Sequence, residues 1–349
     1  MATTKGKQAA ERKPVLVDLA LQGGGAHGAY TWGVLDRLLE EPWLTYDGIS
    51  GTSAGAMNAV VMAYGLAKGG PRQAQVELEK FWRKVAEAAL LSPFRRGPLE
   101  ILTGRWTLDY SPAFVFADIA TRLFSPYDIN VHGGNPLHDV LVECVDFDLL
   151  AKAGPRLFVT ATNVRTGRGR VFRNAEMTPE VLLASACLPT MFQAVEIDGD
   201  PYWDGGFAGN PTITPLVREC ESEDTILVSI NPIERPGTPR SAMEIQNRLN
   251  EISFNSPLIK ELRMAALLRK VADPGTGEGA VWAKMRIHRV AGEDIMLQLG
   301  YSSKLLAEWP FFCMLRDEGR RAAETFLQTY GDDVGVRSTL NIDAMIAEC

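Results

Sequence analysis

The apolar and polar positions of the first 70 residues alternate between the patterns of strands and helices. Val15–Leu21 is a short run rich in valine and leucine, which is typical of a buried strand. A glycine-rich segment follows, and a helical pattern then continues to about Glu40 before Pro42 ends it. A second short strand is predicted at Gly48–Ser50 and a buried helix at Ala54–Ala67. This order predicts an α/β fold with a mostly parallel sheet.

Residues 71–150 carry helical patterns that proline interrupts repeatedly, so long regular elements are not expected there. Large aromatic side chains recur in this part of the chain. They are Phe81, Trp82, Phe94, Trp106, Tyr110, Phe114, Phe116, Phe124 and Tyr127. This pattern indicates either a flap lined with apolar side chains or ordinary packing into the core.

The chain changes character at Glu234–Arg240, a segment rich in proline and glycine that is typical of a boundary. Before it, strands are predicted at Arg156–Val164, Arg170–Phe172, Phe192–Asp198, Tyr202–Trp203 and Thr225–Ile230. After it, the patterns predict helices at Ser241–Val271 and Ser302–Thr329 and a strand at Ala280–Val290. The predicted organisation is a flexible tail at residues 1–14, a domain at residues 15–234 and a mainly helical C-terminal extension at residues 235–349.

Composition narrows the class of protein. The 349 residues are 46% hydrophobic and 23% charged, which is ordinary for a globular protein. No run of about 18 uncharged apolar residues occurs, so a membrane-spanning helix is not expected. The formal net charge of −7 argues against a dedicated nucleic-acid-binding protein and against electrostatic capture by strongly anionic membranes.

The cysteines and the N-terminal residues bear on the compartment. The five cysteines are scattered without a C-x-x-C pair, so we expect free thiols in a reducing compartment rather than disulfides or a zinc site. Residues 1–14 are polar and lack the apolar core of a secretion signal. The sequence therefore predicts a cytoplasmic protein and leaves room for peripheral contact with a membrane. It does not indicate an oligomeric state.

The segment Gly51–Gly55 fits the pattern G-x-S-x-G between a predicted strand and a predicted helix. A serine on such a tight turn has its hydroxyl exposed, and Gly51 and Gly55 allow close backbone approach on either side of Ser53. The following helix directs free N–H groups and the positive end of its dipole at the turn. Ser53 is therefore a candidate nucleophile, although a small-residue turn that packs a helix on a sheet would show the same pattern.

The glycine-rich segment Gly23–Gly28 permits two interpretations. It satisfies G-x-G-x-x-G after a strand, as in dinucleotide-binding proteins, but that interpretation requires an acidic residue at the end of the second strand. Asp47 has roughly the right spacing, yet it precedes the second strand, whose far end presents Ser53. In the other interpretation, successive glycine N–H groups form an oxyanion hole. Because both motifs end consecutive strands, their proximity favours the oxyanion hole.

A carboxylate follows a later apolar strand, in the turn Asp204-Gly205-Gly206. An aspartate within hydrogen-bond reach of a serine hydroxyl can act as its general base without a histidine. Asp-Gly is also a common turn signal. The alternative is a triad of Ser53, Asp204 and His288. His288 lies in a strand-like stretch after the predicted boundary, which favours a structural or exposed histidine.

Taken in their order along the chain, these motifs resemble the patatin-like phospholipase family. The resemblance rests on three motifs and two intervening pieces and covers roughly residues 15–232. The stretches that carry it are Gly23–Gly28, Gly51–Gly55, Thr160–Gly167, Ala184–Pro189 and Asp204–Gly206. It implies a three-layer α/β fold, with a patatin-like catalytic domain at residues 15–234, and a Ser–Asp dyad that hydrolyses lipid acyl esters.

The resemblance also implies roles for single residues. Ser53 would be the nucleophile and Asp204 the general base, and neither a metal nor an organic cofactor is expected. The backbone N–H groups of Gly23, Gly24 and Gly25 would form the oxyanion hole. The residues that support these motifs are His27, Gly28, Gly51, Gly55, Gly205 and Gly206.

His27 departs from the family pattern, which usually has arginine or lysine at this position. A histidine with a pKa near about 6.5 is mostly neutral at pH 7, so a preference for phosphate headgroups does not follow. Activity that responds to pH is expected if the side chain takes part in the site. Capping of the next helix is the other role open to His27.

The expected substrate is a phospholipid or another fatty acyl ester, reached by peripheral contact through an apolar surface. A non-phospholipid esterase of the same mechanism, acting on neutral lipid or a stored polyester, is the nearest alternative. Two further alternatives are a dinucleotide-binding module that uses Gly23–Gly28 and a catalytically silent scaffold that binds a partner through its C-terminal helices.

Overall fold

A computed structural model describes residues 12–129, 135–271, 273–275 and 277–344. Most of the predicted tail, residues 1–11, lies outside these ranges, as does Cys349. The first described residues are held against the fold. The guanidinium of Arg12 lies 3.4 Å from the ring centre of Trp43 and donates a hydrogen bond to the carbonyl of Gly331.

An eight-stranded sheet forms the middle of the molecule. Its strands are β1 Val15–Leu21, β2 Leu44–Gly51, β3 Arg156–Asn163, β4 Gly169–Phe172, β5 Val195–Ile197, β6 Asp200–Asp204, β7 Asp224–Ser229 and β8 Arg286–Ala291. The order is β5-β6-β3-β2-β1-β7-β8, and β4 also pairs with β3. The pairs β3–β2, β2–β1, β1–β7 and β7–β8 are parallel. The pairs β3–β4, β3–β6 and β5–β6 are antiparallel. The sheet is therefore mostly parallel, as predicted.

Fourteen α-helices surround the sheet in the described part of the chain. They are α1 Gly28–Leu38, α2 Ala54–Gly69, α3 Pro71–Ala88, α4 Pro98–Leu102, α5 Pro112–Leu123, α6 Pro126–Ile129, α7 Pro136–Cys144, α8 Phe147–Leu150, α9 Pro179–Ser185, α10 Thr214–Glu219, α11 Ala242–Val271, α12 Gly277–Lys284, α13 Glu293–Gln298 and α14 Trp309–Tyr330. Five of the six helices between residues 71 and 150 begin at proline, and those after residue 93 have 12 residues or fewer, but α3 has 18, so the prediction of no long elements is wrong for α3.

Alternate residues of the central strands face two separate cores. Leu19 and Leu21 of β1 belong to one core, while Ala20 between them belongs to the other. Helices α1, α2, α3 and α14 supply the first core, and helices α10, α11 and α12 supply the second. Helices thus cover both faces of the sheet, which gives the three layers predicted for this chain.

The region after residue 234 contributes elements to all three layers. It supplies β8, which extends the sheet beside β7, and it places α11 on one face and α14 on the other. Helix α14 packs along α1, and Gly319 has its α-carbon so close to the carbonyl of Tyr30 that a β-carbon would not fit. The C-terminal region is mainly helical, as predicted. Its separation at residue 234 stays a prediction.

Three strand predictions are wrong in their bounds. The strand predicted at Gly48–Ser50 spans Leu44–Gly51, so Asp47 lies within it and does not precede it. The stretch predicted as one strand at Ala280–Val290 is helical up to Lys284, because Trp282 and Met285, three residues apart, both face the second core. The stretch predicted at Phe192–Asp198 is a strand only at Val195–Ile197, because the chain turns back on Leu188 after Pro189.

The aromatic part of the chain divides between core and surface. Phe81 and Trp82 are buried in the first core. Between residues 90 and 127, here called the apolar segment, twelve large hydrophobic side chains are exposed instead. They are Leu90, Leu91, Leu99, Ile101, Leu102, Tyr110, Val115, Phe116, Ile119, Leu123, Phe124 and Tyr127. Core packing is therefore confirmed for Phe81 and Trp82, and the flap stays a prediction.

None of the helices in the described ranges combines the length and the apolar character that crossing a membrane would require.

Candidate active site

The predicted motifs meet at one edge of the sheet. Strands β1 and β2 are parallel neighbours, with Leu21 opposite Gly51, so the glycine-rich loop and Ser53 leave the sheet side by side. Asp204 ends β6, which pairs with β3 next to β2, and it lies opposite Ala161. Three separate strands therefore bring Gly23–Gly25, Ser53 and Asp204 together.

Ser53 occupies a strained turn between β2 and α2. Its φ of 55° and ψ of −124° lie where residues other than glycine are uncommon. The amide of Ser53 donates to the hydroxyl of Ser185 over 2.9 Å, and that hydroxyl donates to the carbonyl of Thr160 over 2.7 Å. Gly55 has its α-carbon packed against the carbonyl of Leu21, which leaves no space for a β-carbon. These contacts fix a nucleophile elbow of the kind that G-x-S-x-G predicts.

Asp204 is buried, and its carboxyl group lies near the hydroxyl of Ser53. Its carboxylate also accepts from the amide of Gly206 over 2.7 Å. Burial raises the pKa of Asp204 to about 7, against the lowering effects of Gly206, Ser53 and Lys304. A carboxyl group with this pKa can both accept and return a proton near neutral pH.

The glycine loop lies against the serine turn. A β-carbon on Gly23 would lie 2.6 Å from the carbonyl oxygen of Thr52 and 2.8 Å from the β-carbon of Ser53. Gly25 has a φ of +59°, a conformation that glycine adopts without strain. Both positions therefore require glycine.

The loop amides do not all face the same partners. The amide of Gly23 donates to Oδ1 of Asn210 over 2.7 Å. In this structure that hydrogen bond holds the loop in place. The amides of Gly24 and Gly25 donate to no other group within the described ranges. The oxyanion hole of Gly23, Gly24 and Gly25 stays a prediction, in which the Gly23 amide would have to leave Asn210.

His27 is buried behind the loop. Its Nε2 lies 2.8 Å from the hydroxyl of Ser303, and the edge of its ring faces Phe311. Burial and the nearby ammonium of Lys304 hold the pKa of His27 well below its usual value, so the ring is neutral at pH 7. The side chain makes no capping hydrogen bond to α1. His27 thus connects the loop to the C-terminal region.

His288 is not part of this site. Its Nε2 lies 2.9 Å from Oδ1 of Asp224, and its Nδ1 lies 3.1 Å from the hydroxyl of Thr339. Asp224 begins β7. It therefore lies at the amino ends of the parallel strands, whereas the Ser53 turn lies at their carboxyl ends. The triad of Ser53, Asp204 and His288 is therefore wrong, and the structural role favoured for His288 is confirmed.

The remaining motif glycines maintain close packing. Gly28 allows α1 to approach Ala54 at the start of α2, and Gly205 lies against the carbonyl of Thr160. Gly51 lies against the carbonyl of Gly55 within the serine turn. These contacts explain why the motifs contain glycine at positions that carry no chemistry.

Asp47, which the dinucleotide interpretation requires, is committed elsewhere. Both of its carboxylate oxygens accept from the guanidinium of Arg156, at 2.9 and 3.0 Å, away from the glycine loop. Asp18, Asp47 and Cys220 place ligand atoms within 4.8 Å of one another, a spacing that could suit a metal ion. The cation already present there is Arg156, so this group does not indicate a metal site.

Three polar residues that contact the loop were not among the predicted site residues. They are Asn210, which receives the Gly23 amide, Asn231, whose side chain donates to the Gly23 carbonyl over 2.9 Å, and Lys304. Asn231 follows β7, the neighbour of β1, so the rule that sites gather at strand ends could have found it. No motif marks Lys304, which reaches the site from the C-terminal region.

Known proteins are similar to this chain in sequence and in structure. The family model for Patatin-like phospholipase matches residues 19–217. A cGAMP-activated phospholipase from Pseudomonas aeruginosa is 29% identical over 206 residues, which are 55% of this chain and 53% of that protein. The chain thus spans about half the length of this curated relative. The crystal structure of VipD from Legionella pneumophila is 14% identical, with a TM-score of 0.42 over 91% of this chain and 67% of that one.

Proposed function

The chain belongs to the patatin-like phospholipase family, and we propose that it is a lipid acyl hydrolase that uses Ser53 and Asp204 as a catalytic dyad. The observation that carries the proposal is the buried carboxyl group of Asp204 near the hydroxyl of a serine on a strained turn. Each histidine in the described part of the chain has a partner elsewhere. These histidines are His27, His138 and His288.

The reaction begins when Asp204 accepts the proton of Ser53 as Oγ attacks the ester carbonyl carbon. The carbonyl oxygen becomes an oxyanion, which the amides of Gly24 and Gly25 stabilise together with the amino end of α2. The alcohol leaves with the proton from Asp204, and the acyl group stays on Ser53. Water then gives a proton to Asp204 as it attacks the acyl-enzyme, and the fatty acid leaves while Asp204 returns that proton to the Ser53 oxygen.

This mechanism requires ionised Asp204. Since burial raises its pKa to about 7, turnover falls as the pH drops through about 7. Neutral His27 adds no positive charge at this pH, because its pKa is held well below its usual value. The pH response thus belongs to Asp204 rather than to His27.

The proposed substrate is a phospholipid or another fatty acyl ester. The family and the name of the Pseudomonas relative support a lipid ester. Neutral lipid and stored polyester are the alternatives that the same dyad would serve. Neutral His27 provides no fixed charge for a phosphate, so the substrate class needs a direct test.

We also propose peripheral contact with a lipid surface through the apolar segment, residues 90–127. On helix α5 the exposed side chains of Phe116, Ile119 and Leu123 share one face. The segment is anchored next to the site, because Trp106 stacks on Phe311 and the amide of Leu108 donates to the hydroxyl of Ser302. An apolar surface of this kind inserts into the boundary between headgroups and acyl chains.

Hydrolysis of three substrates tests the function. Wild type, Ser53→Ala and Asp204→Asn are given phosphatidylcholine vesicles, a triacylglycerol emulsion and a short-chain p-nitrophenyl ester. We expect both variants to lose roughly 10³-fold or more in kcat on every substrate that wild type hydrolyses. Ser256→Ala is the control, because that hydroxyl bonds only a carbonyl of its own helix within the described ranges.

The outcomes separate the alternatives. Fatty acid release from phosphatidylcholine supports a phospholipase, and release from the other two esters alone supports a non-phospholipid esterase with the same dyad. Turnover that survives Ser53→Ala contradicts the proposed mechanism. Absence of turnover on all substrates, with nicotinamide or flavin dinucleotide bound instead, supports the dinucleotide-binding module.

A further inference from the structure

A partly buried ammonium group lies behind the glycine loop, outside the residues that the mechanism uses. The Nζ of Lys304 donates to Oδ1 of Asn231 and to Oδ1 of Asn250, each over 2.7 Å. It also lies 5.5 Å from the ring centre of Phe254. Lys304, Asn231 and Asn250, here called the lysine cluster, come from three separate parts of the chain. Taking an ammonium group partly out of water is costly unless hydrogen bonds compensate for the lost hydration, and here the oxygens of two asparagines accept them.

The lysine cluster is connected to the glycine loop. The side-chain amide of Asn231 donates to the carbonyl of Gly23 over 2.9 Å, while the backbone amide of Asn231 donates to Gln22 over 2.9 Å. The carbonyl of Lys304 lies against Gly25, where a β-carbon would not fit. Side chain and backbone of Lys304 thus hold the same loop from one side.

The charges around the ammonium group can be named. Asp204 from β6 and Glu251 from α11 attract it, and His27, neutral at pH 7, faces it from the loop. Glu251 is already bound by Arg235 at 2.6 Å and by Arg248 at 3.1 Å. The thiol of Cys187 also lies near Asp204, and burial keeps it uncharged by raising its pKa to about 12. Asp204 is thus the carboxylate near Lys304 that lacks an arginine partner among the described contacts.

We infer that Lys304 is a positioning residue of the proposed hydrolase, whose ammonium group fixes the glycine loop through Asn231 and favours the ionised form of Asp204. The inference rests on the proposed function and assigns a role to the region after residue 234. That region completes the site with one charge and with the contacts that orient the oxyanion donors. The charge suits this role, because the ammonium group of Lys304 lowers the pKa of Asp204, while burial lowers the pKa of Lys304 only to about 8.

The test is the pH profile of kcat/KM on a short-chain p-nitrophenyl ester. Wild type is expected to lose activity as the pH falls through about 7, the pKa of Asp204. Lys304→Met removes the charge and is expected to move this acidic limb upward by about 0.5–1 pH unit. The rate on the plateau is expected to fall about 10-fold, because the oxyanion donors lose their support.

Two further variants separate charge from folding. Lys304→Gln keeps a hydrogen-bond donor for Asn231 but no charge, so its limb is expected to move as in Lys304→Met. Lys304→Arg keeps the charge, so its limb is expected to stay at the wild-type pH even where its plateau is lower. Lys260→Met, on the exposed side of α11, is the control and is expected to match wild type.

A merely structural role would lower the amount of folded protein or the plateau without moving the limb. An unmoved limb in folded Lys304→Met and Lys304→Gln overturns the inference, and so does failure of all three Lys304 variants to fold. The proposed function is judged separately, by hydrolysis in wild type and its loss in Ser53→Ala. If wild type hydrolyses no ester at any pH, the proposed function fails before the role of Lys304 is at issue.

Discussion

At Asp204, burial and hydrogen bonding act in opposite directions on the pKa of one carboxyl group. Burial raises the pKa, whereas the Gly206 amide, the Ser53 hydroxyl and the charge of Lys304 lower it, and the balance is about 7. A base with a lower pKa would take the serine proton less readily, and one with a higher pKa would be protonated at neutral pH. The chemistry proposed for this site depends on that balance.

The close contact between Gly23 and Ser53 predicts that one methyl group added at Gly23 lowers the activity. Gly23→Ala would place a β-carbon 2.8 Å from that of Ser53, so the loop and the serine turn must move apart. We expect kcat on a short-chain ester to fall about 100-fold or more, because displacement by about 1 Å is enough for such a loss.

Gly331→Ala is the matched control. Its added β-carbon would come no closer than 3.8 Å to a described atom, at Arg12, so we expect kcat within about twofold of wild type. Circular dichroism establishes that both variants fold. An unchanged kcat in folded Gly23→Ala would contradict the packing described for the loop.

The residues of the dyad could be predicted because their signals are local. The turn at Ser53 and the turn at Asp204 each need glycine within two residues, and such spacings are visible in a sequence. Lys304 has no such signal. Its hydrogen bond to Asn231 spans 73 residues, so only the folded chain reveals the contact.

Among the elements, the apolar segment at residues 90–127 departs most from ordinary packing. Its helices are short and begin at proline, and one face of α5 is exposed with Phe116 and Ile119 on it. The sequence could not distinguish a flap from a core element, because aromatic residues serve both. Exposure is decided by tertiary packing, which buries Phe81 but not Phe116.

The proposed lipid contact predicts the effect of polar residues on that face. Phe116→Ser combined with Ile119→Ser removes apolar area worth about 1.5–3 kcal/mol per side chain, so binding to phosphatidylcholine vesicles is expected to weaken at least about 10-fold. Sedimentation with vesicles measures the binding. Turnover of a short-chain ester in solution is expected to stay unchanged.

The control combines Val76→Ser with Val336→Ser, two exposed apolar residues outside the segment. Vesicle binding equal to wild type is expected for this control. Equal weakening in both double variants would show that general hydrophobicity, and not the apolar segment, governs binding.

Over the whole molecule, the sheet joins the region before residue 234 to the C-terminal region. Asp224 at the start of β7 accepts hydrogen bonds from Arg286 and His288 of β8 and from the amide of Gly335. These groups hold the pKa of Asp224 at about 2. The parallel pairing of β7 and β8 could not be predicted, because the strand pattern near Ala280–Val290 overlaps the helical pattern that ends at Lys284.

Loss of this charge should destabilise the fold rather than the chemistry. Asp224→Asn is expected to lower the free energy of unfolding at pH 7 by about 3 kcal/mol, as for a buried pair that loses one partner. Because the folded pKa lies below the unfolded one, the stabilisation is present at neutral pH and is lost as the pH falls through about 2. Urea denaturation measures the difference.

Glu223→Gln is the control, since this half-exposed carboxylate also pairs with Arg286. It is expected to cost less than about 1 kcal/mol. Equal losses in the two variants would mean that the buried network around Asp224 does not join the two regions.

The most direct test of the dyad is labelling with a fluorophosphonate probe, read by intact mass. Wild type is expected to take up one probe per chain. Ser53→Ala and Asp204→Asn are expected to take up none, while His288→Gln is labelled like wild type because His288 binds Asp224. Labelling that persists in Ser53→Ala, or that is lost in folded His288→Gln, would contradict the dyad. So would an unlabelled wild type in the presence of phosphatidylcholine vesicles.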